Sequence, residues 1–293
     1  MLKNNSLIFS LLVLASNALA FSNENNNALS IMQEVNQRAE QYPYVYEEQS
    51  MILMDKSDNL DVRNMRRYSR SNLNGELFTL LVFDSPPEVR GVALRANLDK
   101  YGSSKVEIFL PAFENTILST TAEGRSSQFL GSDFAVDDLR LDTLPDYRYK
   151  KIEDILIDDI DHYVIEAHPV NNEVTKKTGY IKRIHTIRKD NFSLVKTVYF
   201  DRYGRLIKIK SKHEIQKIDN GLWRANMILM ENIVKNHKTL IKVKQRVFSA
   251  DYVPSKIFSD EWLLNHKHMG STASHLMDGV MAPVNEQSVS DKQ

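Results

Sequence analysis

The sequence predicts a mainly β protein in which about eleven strands form one curved antiparallel sheet. Three observations support this prediction. Short runs in which apolar and polar residues alternate follow one another along most of the chain. Clusters of Gly, Pro, Asn and Asp, which tight reversals require, separate these runs. Few segments have helical spacing, so an antiparallel sheet of neighbouring strands is the economical architecture.

The first 20 residues have the pattern of a signal peptide. Lys3 supplies a positive charge, and residues 7–14 are almost entirely apolar. This run is too short for a membrane span, which takes about 20 apolar residues. It is followed by Ala18-Leu19-Ala20, the small-x-small pattern that signal peptidase cleaves. We therefore predict cleavage near Ala20 and a mature chain that begins at Phe21.

Composition narrows the classes of partner. The chain has no cysteine, so the mature protein has no cysteine to receive a lipid anchor or to form a disulfide, and we expect it to be soluble. The 38 basic and 38 acidic side chains balance, and no basic block has interleaved aromatic residues. Nucleic acid is therefore not an expected partner.

One helix and a long series of strands are expected in chain order. Segment 28–40 places Ile31, Met32 and Val35 at near-helical spacing, which predicts an amphipathic helix. The strand-like runs are 46–55, 64–71, 76–84, 89–98, 105–110 and 115–121, then 147–152, 161–168, 181–188, 193–201, 205–215, 223–234 and 239–249. A loop with a short helix is expected between the two groups. The β-domain is expected to cover residues 21–264, with residues 265–293 a disordered polar tail.

Alternation in the later runs predicts one wet face and one covered face. The alternating sets are Ile207 and Ile209 against Lys208 and Lys210, and Ile241, Val243 and Val247 against Lys242, Lys244 and Arg246. A large sheet with one apolar face must curl over an interior, which side chains fill or an apolar guest occupies. The residues expected to line such a groove are Ile52, Met54, Leu80, Val82, Ile207, Ile209, Ile241 and Val243.

Several short elements resemble the outer-membrane lipoprotein-sorting (LolA-like) family. They are residues 82–91, Phe109-Leu110-Pro111-Ala112, Phe129-Leu130-Gly131-Ser132-Asp133-Phe134 with Asp138-Leu139, residues 199–206 and residues 230–232. The resemblance extends over residues 28–264. It implies a half-open β-barrel with a helical lid that carries lipoprotein acyl chains or other lipids through the periplasm toward the outer membrane, without catalysis. It also implies a lipid or lipidated protein as partner, together with an inner-membrane transporter of the resistance-nodulation-division (RND) type.

One departure from the family pattern concerns the segment between Pro111 and Gly131. Relatives have a basic cluster there, whereas residues 112–121 of this chain contain no basic residue and only Arg125 follows. If that cluster contacts an anionic head group or a partner in relatives, this chain has only Arg125 in the same stretch to make the contact.

The run from Phe129 to Phe134 has two interpretations. In the first, Gly131 adopts a positive φ, and Ser132 or Asp133 caps a short helix that runs to Leu139, which stabilises a helix by about 1 kcal/mol. In the second, the run is part of the lid, and its phenylalanines close on an acyl chain. The sequence leaves both open.

Catalytic and metal sites have little support in the sequence. No nucleophile elbow, Walker loop, zinc-protease helix or dinucleotide fingerprint is present. The acidic run 153–161 lacks the glycine and final glutamate of a calcium loop, and the histidines lack metal-ligand spacing. We therefore predict a carrier without cofactor, metal or catalysis. The alternatives are an accessory subunit of an RND-type export complex that carries no lipid and, third, a hydrolase.

Overall fold

The computed structural model describes residues 27–39, 41–73, 76–99, 104–111, 116–119, 126–139, 143–218 and 222–265. The predicted signal peptide and the predicted tail after Asn265 lie outside these ranges, as do residues 120–125 of the segment without a basic cluster. Within the ranges, no helix has the length and apolar character needed to cross a membrane.

Thirteen strands form one sheet. Their bounds are β1 Tyr44–Met54, β2 Leu60–Ser71, β3 Leu77–Ser85, β4 Ala93–Leu98, β5 Ser104–Leu110, β6 Thr116–Ser119, β7 Tyr147–Ile157, β8 Ile160–Pro169, β9 Lys182–Arg188, β10 Leu194–Phe200, β11 Leu206–Lys217, β12 Trp223–Asn232 and β13 His237–Val247. The spatial order is β6-β5-β4-β3-β2-β1-β13-β12-β11-β10-β9-β8-β7. Since β1 pairs with β13, two antiparallel meanders meet in the middle of the sheet.

The predicted fold class is confirmed: the protein is mainly β, and its curved antiparallel sheet does not close into a barrel. Every predicted strand-like run overlaps a strand. The sheet has thirteen strands, one for each of the thirteen strand-like runs, where the overall expectation was about eleven. The shortest, Thr116–Ser119, pairs at the edge beside β5.

In the described part of the chain, the α-helices of five or more residues are α1 at residues 27–39, α2 at Asn172–Thr178 and α3 at Asp260–Leu264. The predicted amphipathic helix is thus confirmed as α1, whose Ile31, Met32 and Val35 are buried in a cluster with Ile165 and Ile187 of β8 and β9. This apolar stripe holds α1 on the sheet, because burial of such side chains is the main stabilisation of a short helix.

Strand register divides the sheet into two covered faces. On one face, Met51, Phe83 and Ile241 form a cluster beneath residues 126–139, which we name the plug segment, and this is the plug face. On the other face, Tyr68 and Leu80 form a cluster with residues 250–264, the cap segment, and this is the cap face. Helix α1 also lies on the plug face. Residues paired across neighbouring strands share a face, and Arg183 of β9 pairs with Tyr199, which lies in the cluster beneath the plug segment, and with Ala167, which lies in the cluster that contains α1.

Two bulges change the predicted facing of the later strands. The pairing of β10 with β11 shifts between Tyr199 and Phe200, so Ile207 lies on the plug face and Ile209 on the cap face, and the prediction that these two share a face is wrong. The pairing of β1 with β13 shifts between Glu48 and Gln49, so Val243 lies on the plug face whereas Val247 lies in the cap-face cluster. The prediction that Val247 shares a face with Val243 is therefore wrong, because one extra residue reverses the alternation that follows it.

The predicted facing of the β11 lysines is also wrong at Lys208. Lys208 pairs with Tyr199 and is buried on the plug face, with only 8% of its surface exposed. A buried ammonium group requires polar partners. Tyr180 and Asp138 supply them, as described below.

Candidate functional site

The eight predicted groove residues do not line one groove. Leu80 and Val82 are fully buried on the cap face beneath the cap segment. Ile52, Met54 and Ile209 are half-buried on that face, as strand register shows. The remaining three, Ile207, Ile241 and Val243, belong to the plug face. Their role in ligand binding stays a prediction.

The plug segment occupies the centre of the plug face. Its ends approach through a bridge between Gln128 and Ala135, and the Phe129 N–H donates to the Phe134 carbonyl at 2.8 Å. Leu130 has a φ of 49° and Gly131 a φ of 75°, so the turn uses the left-handed region where the sequence predicted it, at glycine. A single 3-10 turn, Val136–Leu139, follows.

The three largest buried apolar side chains of the plug segment are those of Phe129, Phe134 and Val136, which are almost fully buried. The Phe129 ring lies 5.8 Å from the ring of Phe83. The same cluster contains Met51, Met65, Leu81, Leu94, Met230 and Ile241 of the sheet. The plug segment thus fills apolar space that the sheet by itself would leave open to solvent.

A first polar latch, made by Asp133, Thr239 and His237, ties the plug segment to β13. The Asp133 N–H donates to Thr239 Oγ1 at 2.9 Å, and the Thr239 hydroxyl donates to Asp133 Oδ2 at 2.8 Å. His237 Nδ1 bonds to the same carboxylate oxygen. The interpretation of Asp133 as a helix cap is wrong, because its side-chain bonds go to β13, not to the N-terminus of the following turn.

A second polar latch, made by Asp138, Tyr180 and Lys208, ties the end of the plug segment to β11. Asp138 Oδ2 accepts from the Tyr180 hydroxyl at 2.8 Å, and Lys208 Nζ lies 3.7 Å from that oxygen and donates to the Tyr180 hydroxyl at 3.2 Å. Burial, reinforced by the Asp138 carboxylate, raises the pKa of Tyr180 well above its ordinary value. The phenol therefore keeps its proton and remains a donor.

The two latches leave polar groups only partly satisfied. Asp133 Oδ1 and Asp138 Oδ1 are buried and have no hydrogen-bond partner among the described residues. A buried oxygen without a partner costs roughly 1–3 kcal/mol relative to a hydrated one. These two oxygens therefore disfavour the closed position of the plug segment. If the segment moved away from the sheet, water could form hydrogen bonds with both carboxylates.

A charged cluster lies at the end of the plug face away from the first latch. Glu47 is buried between Arg246, whose Nε lies 2.5 Å from its carboxylate, and Arg67. Burial alone would raise the pKa of Glu47, but these two guanidinium groups outweigh it and hold the pKa below its ordinary value. Nearby, Arg224 donates to the carbonyl groups of residues 38 and 39 at the end of α1. The cluster secures the helix at this end of the sheet.

The partners of Asp133 and Asp138 in the two latches were not predicted from the sequence. Asp133 and Asp138 were visible as motif residues, but their partners Thr239, Tyr180 and Lys208 are about 40 to 106 positions away in the chain. No local pattern around these three residues marks them. Among the described residues, no group of three or more His, Asp or Glu side chains could hold a metal ion.

A family model with the description "Uncharacterized protein" matches residues 75–265. No curated protein matches the chain. Among solved structures, an outer membrane lipoprotein-sorting protein domain from Vibrio parahaemolyticus is 24% identical, with a TM-score of 0.75 over 82% of this chain and 99% of that one.

Two further structures share the fold. A DUF1329 family protein from Desulfovibrio piger is 22% identical, with a TM-score of 0.72 over 80% of this chain and 99% of the other. A LolA superfamily protein from Nitrosomonas europaea is 20% identical, with a TM-score of 0.63 over 80% and 98%. At these identities the likeness establishes the fold.

Proposed function

Because this chain belongs to the family whose model matches residues 75–265 and has a LolA-like fold, we propose that it is a periplasmic carrier of lipid or lipoprotein acyl chains. In this proposal the carrier has no catalytic activity, and it receives a chain on the plug face after the plug segment has moved aside. The cargo then passes toward the outer membrane.

One observation carries the proposal: an irregular segment, not a strand or a long helix, covers the apolar centre of the sheet. From residue 127 onward, the regular structure of the plug segment is one bridge and a 3-10 turn. Its polar ties to the sheet and the turns include the two latches, Arg63 donating to the Leu130 carbonyl and Lys235 donating to Gln128 Oε1. Water can replace each of these bonds once the segment leaves.

The apolar contacts of the plug segment are of the size that an acyl chain can replace. Burial of Phe129, Phe134 and Val136 is worth roughly 1.5–3 kcal/mol for each side chain. A long acyl chain gains about 0.8 kcal/mol for each buried methylene, on the order of 10 kcal/mol in total before ordering costs. The plug segment and an acyl chain therefore gain comparable free energy from burial on this face. Because neither binds far more strongly than the other, each can displace the other.

A reversible covalent latch tests the proposal. The chain has no native cysteine, so Asp133→Cys with Thr239→Cys introduces a single pair at positions whose side chains are in hydrogen-bond contact. We expect the oxidised double variant to take up no fluorescent fatty acid, because the plug segment cannot leave. Reduction of the same sample should restore uptake to at least the wild-type level.

The matched control is Ser50→Cys with Asn64→Cys, a cross-strand pair of β1 and β2 whose side chains are 2.9 Å apart on the cap face. Its oxidation should leave uptake unchanged. Mass spectrometry of lipid extracted from protein purified from the periplasm provides the second measurement. Protein consistently free of lipid, with equal fatty-acid uptake by the oxidised and reduced latch variant, would contradict the proposal. Lipid-free protein that co-purifies with an inner-membrane transporter would favour the accessory subunit.

A further inference from the structure

Three neighbouring hairpin turns at one rim of the sheet present apolar side chains to solvent. The turns are residues 55–59 between β1 and β2, 233–236 between β12 and β13, and 201–205 between β10 and β11. They lie side by side because β2, β1, β13, β12, β11 and β10 are consecutive in the sheet. We name this edge the hairpin rim.

Five large apolar residues on or beside these turns are exposed. Their exposed fractions are 62% for Leu60, 66% for Tyr203, 38% for Leu206, 49% for Ile233 and 70% for Val234. Single exposed apolar residues are ordinary, but a row of them at three adjacent turn tips is the kind of surface that marks an interaction site.

Each turn also carries a cation beside its apolar tip: Lys56, Arg202 and Lys235. At the 201–205 turn, the guanidinium groups of Arg202 and Arg205 lie 4.7 and 5.0 Å from the centre of the Tyr203 ring. An aromatic ring flanked by long cationic side chains suits the boundary between water and hydrocarbon, where the ring is buried and the charges remain hydrated.

The turn backbones are satisfied internally. Asp55 Oδ1 accepts from the N–H groups of Ser57 and Asn59. Asp201 Oδ1 accepts from Tyr203 and Arg205 in the same way. In the third turn, Asn232 Oδ1 accepts from the N–H of Lys235. Backbone groups that already have hydrogen-bond partners have a smaller free-energy cost of desolvation when the turn leaves water.

We propose that the hairpin rim docks on the surface of a lipid bilayer and inserts its apolar tips at the level of the head groups. The tips stand on three separate turns, so a protein partner would need a matching pocket for each, whereas a bilayer surface accepts them without complementary shape. The three turns together carry only one more positive than negative charge, so docking depends mainly on apolar insertion and weakly on anionic lipid.

The position of the rim gives this docking a consequence for the plug segment. His237 of the first latch is the first residue of β13, directly after the 233–236 turn, and Lys235 of that turn bonds to Gln128 of the plug segment. Docking therefore brings the latched end of the plug segment to the membrane surface. Docking itself goes beyond the carrier proposal and does not require cargo, so each can fail without the other.

Co-sedimentation with lipid vesicles tests the inference. The protein is purified from the periplasm, and its N-terminus is determined by mass spectrometry. Vesicles contain either phosphatidylcholine alone or phosphatidylethanolamine with phosphatidylglycerol. We expect the protein to co-sediment with both, and the triple variant Leu60→Ser, Tyr203→Ser, Val234→Ser to bind about tenfold or more weakly. The control variant Leu73→Ser, Leu156→Ser removes two strongly exposed leucines at the opposite rim and should bind like the wild type.

An environment-sensitive fluorophore gives an independent readout. Attached at Val234→Cys, it should report a less polar surrounding when either vesicle is added, whereas the same label at Leu73→Cys should not change. Absence of wild-type binding, equal loss in the opposite-rim control, or no spectral change at position 234 would overturn the proposal. If the protein binds neither vesicle, and a photo-crosslinker at position 234 forms a discrete protein adduct in intact cells, the rim is a protein interface instead.

Discussion

The substitution Thr239→Val tests whether the plug segment opens independently of the sheet. Valine keeps the shape of threonine and removes the hydroxyl, which accepts from the Asp133 N–H and donates to Asp133 Oδ2. The bond to the carboxylate is worth roughly 1.5–3 kcal/mol and the other about 1 kcal/mol. A total of about 3 kcal/mol corresponds to an increase of about a hundredfold in the opening equilibrium of the segment.

Hydrogen exchange of individual amides measures this equilibrium. The N–H groups of Phe129, Ser132 and Asp138 donate within the plug segment, at 2.8, 2.9 and 2.9 Å. We expect their protection to fall by about a hundredfold in Thr239→Val, and amides of β1 to change far less, because the sheet keeps its own ladder. The control is Thr79→Val, which alters another buried threonine on the plug face, outside the latches.

Two results would refute the reasoning. An equal loss of protection in the plug segment and in β1 would show that the segment unfolds only together with the sheet. Unchanged protection throughout would show that the first latch does not hold the segment closed. Either result would also remove the physical basis for exchange between the plug segment and an acyl chain.

Three further predictions concern the remaining contacts of the plug face. Ion pairing lowers the pKa of Glu47 in the folded state, so its stabilising effect is complete above the ordinary glutamate range and is lost as pH falls through the lowered value. Glu47→Gln should therefore lower the free energy of unfolding by roughly 3–5 kcal/mol at neutral pH. It should also make that free energy depend less on pH in acid unfolding followed by circular dichroism. An acid-unfolding curve like that of the wild type would contradict this prediction. Tyr180→Phe removes the phenol that donates to Asp138 and should lower the free energy of unfolding in urea by roughly 1–3 kcal/mol. An unchanged free energy of unfolding would show that the second latch does not stabilise the fold. Phe129→Ala should lower stability by roughly 3–5 kcal/mol yet strengthen fatty-acid binding by vacating apolar space, whereas Phe109→Ala on the cap face should only destabilise.

The order of the elements could be predicted from the sequence because it depends on local patterns. Period-two alternation and the turn residues between runs located every strand, and the spacing of Ile31, Met32 and Val35 located α1. The positive φ at Gly131 also followed from residue type alone. These features are set by backbone sterics and by apolar burial within a few residues, so neighbouring letters are sufficient to specify them.

The facing of side chains and the structure of the site were decided by tertiary contacts. A single bulge beside Glu48 moved Val247 to the other face, and no local signal marks such an insertion. Lys208 was expected in solvent because lysine is costly to bury, yet a carboxylate from the plug segment and the phenol of Tyr180 reverse that preference. Pairings between distant parts of the chain exist only after the fold has formed, so the sequence determined the sheet and the structure determined what covers it.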